Sequence, residues 1–231
     1  MSVLRRRFTG RRLICLSLFV AAPFLNGGCM LHISPHGTIT GSGRILSQER
    51  IVDAFRGVQI KGFGKVHISQ GSSQSLRVDA DDNVIDQVRT SVEAGMLLVD
   101  MEKKVSYANV TIEIYVTVPD LERLEITGAG DITTESPIRV ETLVCDIEGA
   151  GTIRLSGWAD RLEARISGSG KICCFDFVAR SCKAVISGMG SCEVNVTESL
   201  DAVITGMGDI IYDGNPEVTQ RVTGMGSVRG K

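Results

Sequence analysis

One seven-residue phrase is written eight times along this chain. It runs an aliphatic residue, a polar one, Gly-x-Gly, one further residue, and a second aliphatic. The copies span Ile39–Ile45, Ile60–Val66, Ile126–Ile132, Ile147–Ile153, Ile166–Ile172, Ile186–Cys192, Ile204–Ile210 and Val222–Val228. From the third copy onward they begin 18 to 21 residues apart. A steady period of that size predicts a solenoid, in which each coil buries its apolar side only by stacking on the next.

Aligned on the first glycine, the copies form columns. Two places before it stands Ile or Val throughout, and four places after it stands Ile or Val apart from Cys192. Four places before it the later copies carry Leu124, Cys145, Ala164, Ala184 and Ala202, with Glu125, Asp146 and Arg165 interleaved. Alternation with one β-branched, apolar face is the signal of a strand. A strand therefore leads into each Gly-x-Gly and another leads away, with the glycines at the corner. The predicted structural corners are Gly128, Gly130, Gly149, Gly151, Gly168, Gly170, Gly188, Gly190, Gly206, Gly208, Gly224 and Gly226. Glycine is expected there because it adopts positive φ without steric cost. Stacked coils would also align a Ser/Thr column (Thr40, Thr127, Ser167, Ser187, Thr205, Thr223) and three methionines, Met189, Met207 and Met225, read as packing. The fold class that follows is all-β, a parallel β-helix with coils of about 20 residues.

The 66-residue interval from Gly62 to Gly128 lacks the repeated corner. Strands are predicted at 75–80, 96–101 and 110–118, a capped helical turn after Asp81-Asp82-Asn83, and a turn at Glu93-Ala94-Gly95. The segment reads as less regular coils of the same solenoid, a separate N-terminal sandwich being the alternative. The expected organisation is thus a signal at 1–28, a tether at 29–40, and a solenoid at 41–231, irregular over 41–120 and regular over 121–231. The sequence stops just past a corner, so an open edge that pairs with a second copy or with another protein is expected.

The N-terminus carries five arginines before an apolar run at 13–25, too short for a membrane span of ~20 residues. Gly27, Gly28 and Cys29 follow, the pattern of a bacterial lipoprotein signal with lipid added at Cys29. An ordinary secretory signal and twin-arginine export are the alternatives. With those five arginines removed from 25 basic residues, 20 face 27 acidic ones, a net charge of −7. No basic cluster remains, which argues against nucleic-acid binding. Five cysteines lie beyond Cys29: Cys145, Cys173, Cys174, Cys182 and Cys192. The columns turn all but Cys173 inward, and a vicinal bridge or a cross-coil bridge between Cys173 and Cys182 stays open as an alternative. No CxxC pair occurs, so zinc is not expected.

Several runs resemble the bacterial putative auto-transporter adhesin family, head GIN domain. They are Ala54-Phe55-Arg56-Gly57-Val58, then 66–71 (VHISQG), Leu76-Arg77-Val78 with Asp81-Asp82-Asn83, and Val118-Pro119-Asp120-Leu121 ahead of the Ser/Thr-Gly-x-Gly series. The resemblance covers about residues 38–231. It implies a right-handed parallel β-helix, export to the envelope and no known enzymatic activity.

Chemistry is sparse. A strand, not a helix, follows each Gly-x-Gly, which argues against a phosphate cradle. Asp131 and Asp209 sit where calcium-binding β-rolls carry carboxylates, but four coils apart, so they read as turn residues. Glu125, Asp146, Glu163 and Glu193 read as scattered outward acids without a basic partner in one column. No catalytic, cofactor-binding or metal-ligating residue is predicted. The expectation is a non-enzymatic envelope lipoprotein with a protein or glycan partner, held to the membrane by lipid, at the outer membrane or periplasmic face. A carbohydrate-active β-helix and a structural spacer are the alternatives.

Overall fold

The computed structural model describes residues 37–102 and 105–231. The signal segment and Cys29 lie outside the described residues. Almost every described element is a strand. The first five are β1 (Thr38–Thr40), β2 (Ile45–Glu49), β3 (Gly57–Ile60), β4 (Phe63–Gln70) and β5 (Ser75–Asp81). After a short 3-10 turn at Ile85–Gln87 come β6 (Val88–Glu93), β7 (Met96–Met101), β8 (Ser106–Ala108) and β9 (Ile112–Val118). The regular half holds β10 (Arg123–Ile126), β11 (Ala129–Thr134), β12 (Ile138–Ile147), β13 (Ala150–Ile166), β14 (Ser169–Ile186) and β15 (Met189–Ile204). It ends with β16 (Met207–Asp213), β17 (Glu217–Val222) and β18 (Val228–Gly230).

Seven of the eight copies stack in register as a parallel β-solenoid. Ile60, Ile126, Ile147, Ile166, Ile186, Ile204 and Val222 are successive strand partners before the corner. Val66, Ile132, Ile153, Ile172, Cys192, Ile210 and Val228 are partners after it. Both columns are buried except at the last coil, where Val222 and Val228 keep some exposure. Each buried Ile is worth about 1.5–3 kcal/mol, so these ladders supply much of the stability.

The corner is one hydrogen-bonding pattern repeated. The carbonyl of Ile147 accepts from both Ser167 N–H (2.9 Å) and Gly168 N–H (3.0 Å), and Gly149 O accepts from Ser169 N–H (2.9 Å). Equivalent bonds recur at every coil from Gly62 to Gly224. The expected reason for glycine needs correcting at the first position. Gly188 is not in the positive-φ region; a Cβ there would stand 2.1 Å from Gly168 O and 2.2 Å from Ser167 O. The second glycine, Gly190, has φ +159° and would also strike Gly170 O at 2.0 Å. Close approach of stacked backbones, more than turn geometry, selects glycine.

The first copy is not a corner. Thr38–Thr40, the end of the stretch read as tether, pairs with β8, and Ile45 starts the edge strand β2, half exposed. Gly41-Ser42-Gly43 instead wraps a buried carboxylate: Asp81 accepts from Gly43 N–H and Thr111 N–H, both at 2.7 Å. Asn83 and Asp82 bind Ser42 in the same loop. The Asp-Asp-Asn run therefore holds a loop and does not cap a helix; the 3-10 turn that follows has no side-chain cap.

The interval 62–128 does not add coils in chain order. β7 and β9 form one coil on the outer side of β3 and β4, while β10 and β11 stack on the other side. The coil at 57–70 is thus sandwiched between two later segments. β2, β5 and β6 run antiparallel to their neighbours and close this end of the stack.

Candidate binding groove

The coils bend at a second place, and the bend exposes the chain's one tryptophan. Ser156 N–H donates to Thr134 Oγ1 at 2.8 Å, fixing an irregularity in the ladder between Arg154 and Ser156. Gly157 follows with φ +129°, and a Cβ there would also meet Ile138 O at 2.0 Å, so glycine is required twice over. Trp158 then faces outward beside its strand partner Arg139, whose guanidinium lies 4.9 Å from the ring centroid. That is cation–π distance.

Trp158 and Arg139 line a depression of about 760 Å³ together with Arg56, Asp120, Glu122 and Asp160. A second depression of about 740 Å³ shares Arg56, Asp120 and Glu122 with it and reaches Phe55 and Met96. Toward the other end, a third shares Glu141, Thr142 and Asp160, and a fourth continues from it past Arg161 and Ser181 to Glu217. The shared rims make one furrow across the strands. It follows the partners Met96, Gly57, Arg123, Val144, Glu163, Lys183, Asp201 and Thr219. Seven strand spacings of ~4.8 Å make it on the order of 30 Å long. Its walls alternate in charge: Arg180 bridges Asp160 (3.4 Å) and Glu198 (2.8 Å) on adjoining coils.

The acids expected to be scattered are in fact organised. Glu125 and Asp146 are direct partners in one column, with Arg165 next in line. Arg123 pairs with Glu125 at 3.1 Å and Asp146 at 3.3 Å, and Arg165 pairs with Glu163 and approaches Asp146 at 4.0 Å. Burial pushes the Asp146 carboxyl above its ordinary value, against the pull of Arg123 and Arg165. Each carboxylate is thus tied into an ion-pair ladder between coils.

Asp131 and Asp209 each bond the next coil. Asp131 accepts from Thr152 N–H at 3.1 Å, and Asp209 accepts from Ser227 N–H and Oγ, both at 2.8 Å. Among the described residues no group of three His, Cys, Asp or Glu side chains is placed to hold a metal ion. Cys145, Cys174, Cys182 and Cys192 are buried, Cys173 is half-buried, and all five are free thiols. Burial drives the Cys182 thiol up to about 12 and raises the other four.

Trp158 and Arg139 were legible as a pair in the columns: each stands ten places before the first glycine of its corner, Gly168 and Gly149. The count simply has to be carried farther back than the strand next to the corner.

A parallel β-solenoid with stacked glycine corners and a long polar furrow defines a β-solenoid repeat protein. The chain belongs to the family described as putative auto-transporter adhesin, head GIN domain, whose model matches residues 54–216. Among solved structures it is similar to a putative adhesin from Bacteroides fragilis, at 21% identity and TM-score 0.69, covering 84% of this chain and 100% of that one. A putative lipid binding protein from Parabacteroides distasonis matches at 21% identity and TM-score 0.49, covering 84% and 99%. A putative adhesin from Parabacteroides merdae matches at 20% identity and TM-score 0.49, with the same coverage. No curated protein sequence matches the chain significantly.

Proposed function

We propose that the protein is a non-enzymatic, adhesin-like component of the cell envelope that binds a carbohydrate chain along the furrow. The observation that carries this is Trp158 stacked with Arg139 at its centre. An indole face offers an apolar platform for a sugar ring, while flanking Arg, Asp and Glu side chains hydrogen-bond hydroxyl groups. A furrow repeating once per coil suits a polymer better than a small ligand. The engagement of the furrow's Glu122, Asp160, Glu163 and Glu198 in arginine pairs supports binding without hydrolysis.

Attachment is proposed through lipid on Cys29, with the family description supporting an exported, surface-exposed protein. Cys29→Ser should release the protein from the membrane fraction; retention would defeat the anchor.

Trp158 is the only tryptophan, so its emission reports the site directly. A glycan array should yield a ligand that shifts or quenches it, with Trp158→Ala and Arg139→Ala each weakening binding at least tenfold. An array hit that neither substitution weakens would overturn the groove assignment, and cleavage of a bound glycan would overturn the non-enzymatic reading.

A further inference from the structure

Among the described residues, three of the most exposed large apolar side chains form a ladder. Met189 pairs with Met207 in register, and Met207 bridges to Met225. They are 52%, 43% and 68% exposed, which overturns the packing role expected for them. The fold does not require methionine here. The same corner position is Ala129, Ala150 and Ser169 in three earlier coils, with the same backbone bonds to the preceding coil. Each methionine lies between two glycines, so no neighbouring side chain crowds its thioether along the chain. The next residues on the outer face are Ser191, Asp209 and Ser227.

We propose that Met189, Met207 and Met225 form a thioether site for a soft monovalent cation, copper(I) or silver(I). Thioether sulfur is a soft, neutral donor that favours such ions over zinc, calcium or magnesium. Strand spacing sets the three backbones ~4.8 Å apart, and methionine's three rotatable bonds let the sulfurs converge on one ion between coils. Asp209, two residues from Met207, supplies a carboxylate beside the ladder; Ser227 Oγ and N–H hold it there at 2.8 Å. The arrangement meets the ion's charge without committing a thiol, the four deepest cysteines being enclosed in the core.

The test uses the full-length protein carrying Cys15→Ser, Cys29→Ser and Cys173→Ser, which leaves only the four buried thiols. Silver(I) is titrated by calorimetry, and copper(I) under ascorbate by competition with a chromogenic chelator. One ion should bind per chain, with the methionine methyl NMR signals shifting on binding. Replacing all three methionines with leucine should weaken binding at least a hundredfold, and Met207→Leu alone at least tenfold. Ala and Ser occupy the position in sister coils, so these variants should fold; an unchanged circular dichroism spectrum checks it. Undiminished affinity in the folded triple variant, unshifted methyl signals, or equal binding of zinc(II) would each overturn the site.

Discussion

The Gln70 carboxamide stands in for a strand neighbour of Arg139. Its Oε1 accepts the Arg139 N–H at 2.8 Å, and its Nε2 donates to the Arg139 carbonyl at 2.9 Å. The same Nε2 reaches Pro119 O at 3.0 Å, so one side chain joins three coils at the furrow's edge. Gln70→Ala should lower stability by about 1–2 kcal/mol, a few degrees in Tm, because each lost bond is worth ~0.5–1.5 kcal/mol net. It should also shift Trp158 emission, since Arg139 loses the anchor that holds it over the ring. Unaltered emission would mean that Arg139 is positioned by its strand alone.

The corner glycine Gly188 and the loop glycine Gly43 separate two physical causes that substitution can tell apart. At Gly188 an added Cβ meets the preceding coil's backbone at 2.1 Å, although its φ is unremarkable. At Gly43 nothing lies within 4 Å, but φ is +77°. Gly43→Ala should cost only about 1 kcal/mol, the ordinary penalty for a left-handed L-residue. Gly188→Ala should cost ~3 kcal/mol or more, because packed backbone cannot yield locally. That corresponds to a Tm drop of about 6–12 °C for a domain of this size. Comparable losses at the two sites would refute the steric account of the corner.

This contrast also shows what the sequence could convey about the fold. The repeat carried the stacked half, because seven copies share one backbone pattern and one pair of buried columns. It misled at the first copy, where Gly41 and Gly43 have the same spacing but serve a buried Asp81 fifteen residues past the next corner motif. Alternation at Leu76, Val78 and Ala80 located β5, yet a period of two is identical for parallel and antiparallel strands. Its antiparallel pairing with β9 was therefore invisible. Of the furrow, the Arg139–Trp158 pair was open to counting. The contributions of Arg56 and Asp120 were not, since they depend on a coil that stacks out of chain order.

The cysteines give a prediction on accessibility. Cys182 sits between Leu162 and Leu200 in a buried column, while Cys173 lies between Arg154 and Glu193 in an outward one. The two belong to different faces, consistent with both thiols being free. Among the five, only Cys173 should react with a thiol reagent at pH 8 in the native protein, and slowly, because burial raises its own pKa. All five should react in denaturant. Rapid native labelling of Cys145, Cys174 or Cys192 would mean that the core opens locally.

His67 makes stability depend on pH. Its Nδ1 lies 2.5 Å from Glu135 Oε1, its Nε2 contacts Glu113, and its ring stacks on Tyr115 at 4.7 Å. Lys65 approaches Glu113 at 3.6 Å, and Arg77 lies over the far ring at 4.2 Å. Burial opposes the charge on the imidazole, but hydrogen bonds to Glu113 and Glu135 outweigh it, and the pKa is raised. A raised folded pKa means the stabilisation is fully present below the unfolded value of about 6.5 and is lost as pH rises through the folded value. Above that point one ring nitrogen presents a lone pair to a carboxylate. Tm should therefore decline through the range just above pH 6.5, and His67→Gln should remove that part of the slope while leaving the coils intact. A wild-type profile that parallels the glutamine variant across this range would rule out the Glu113–His67–Glu135 bridge as the titrating element.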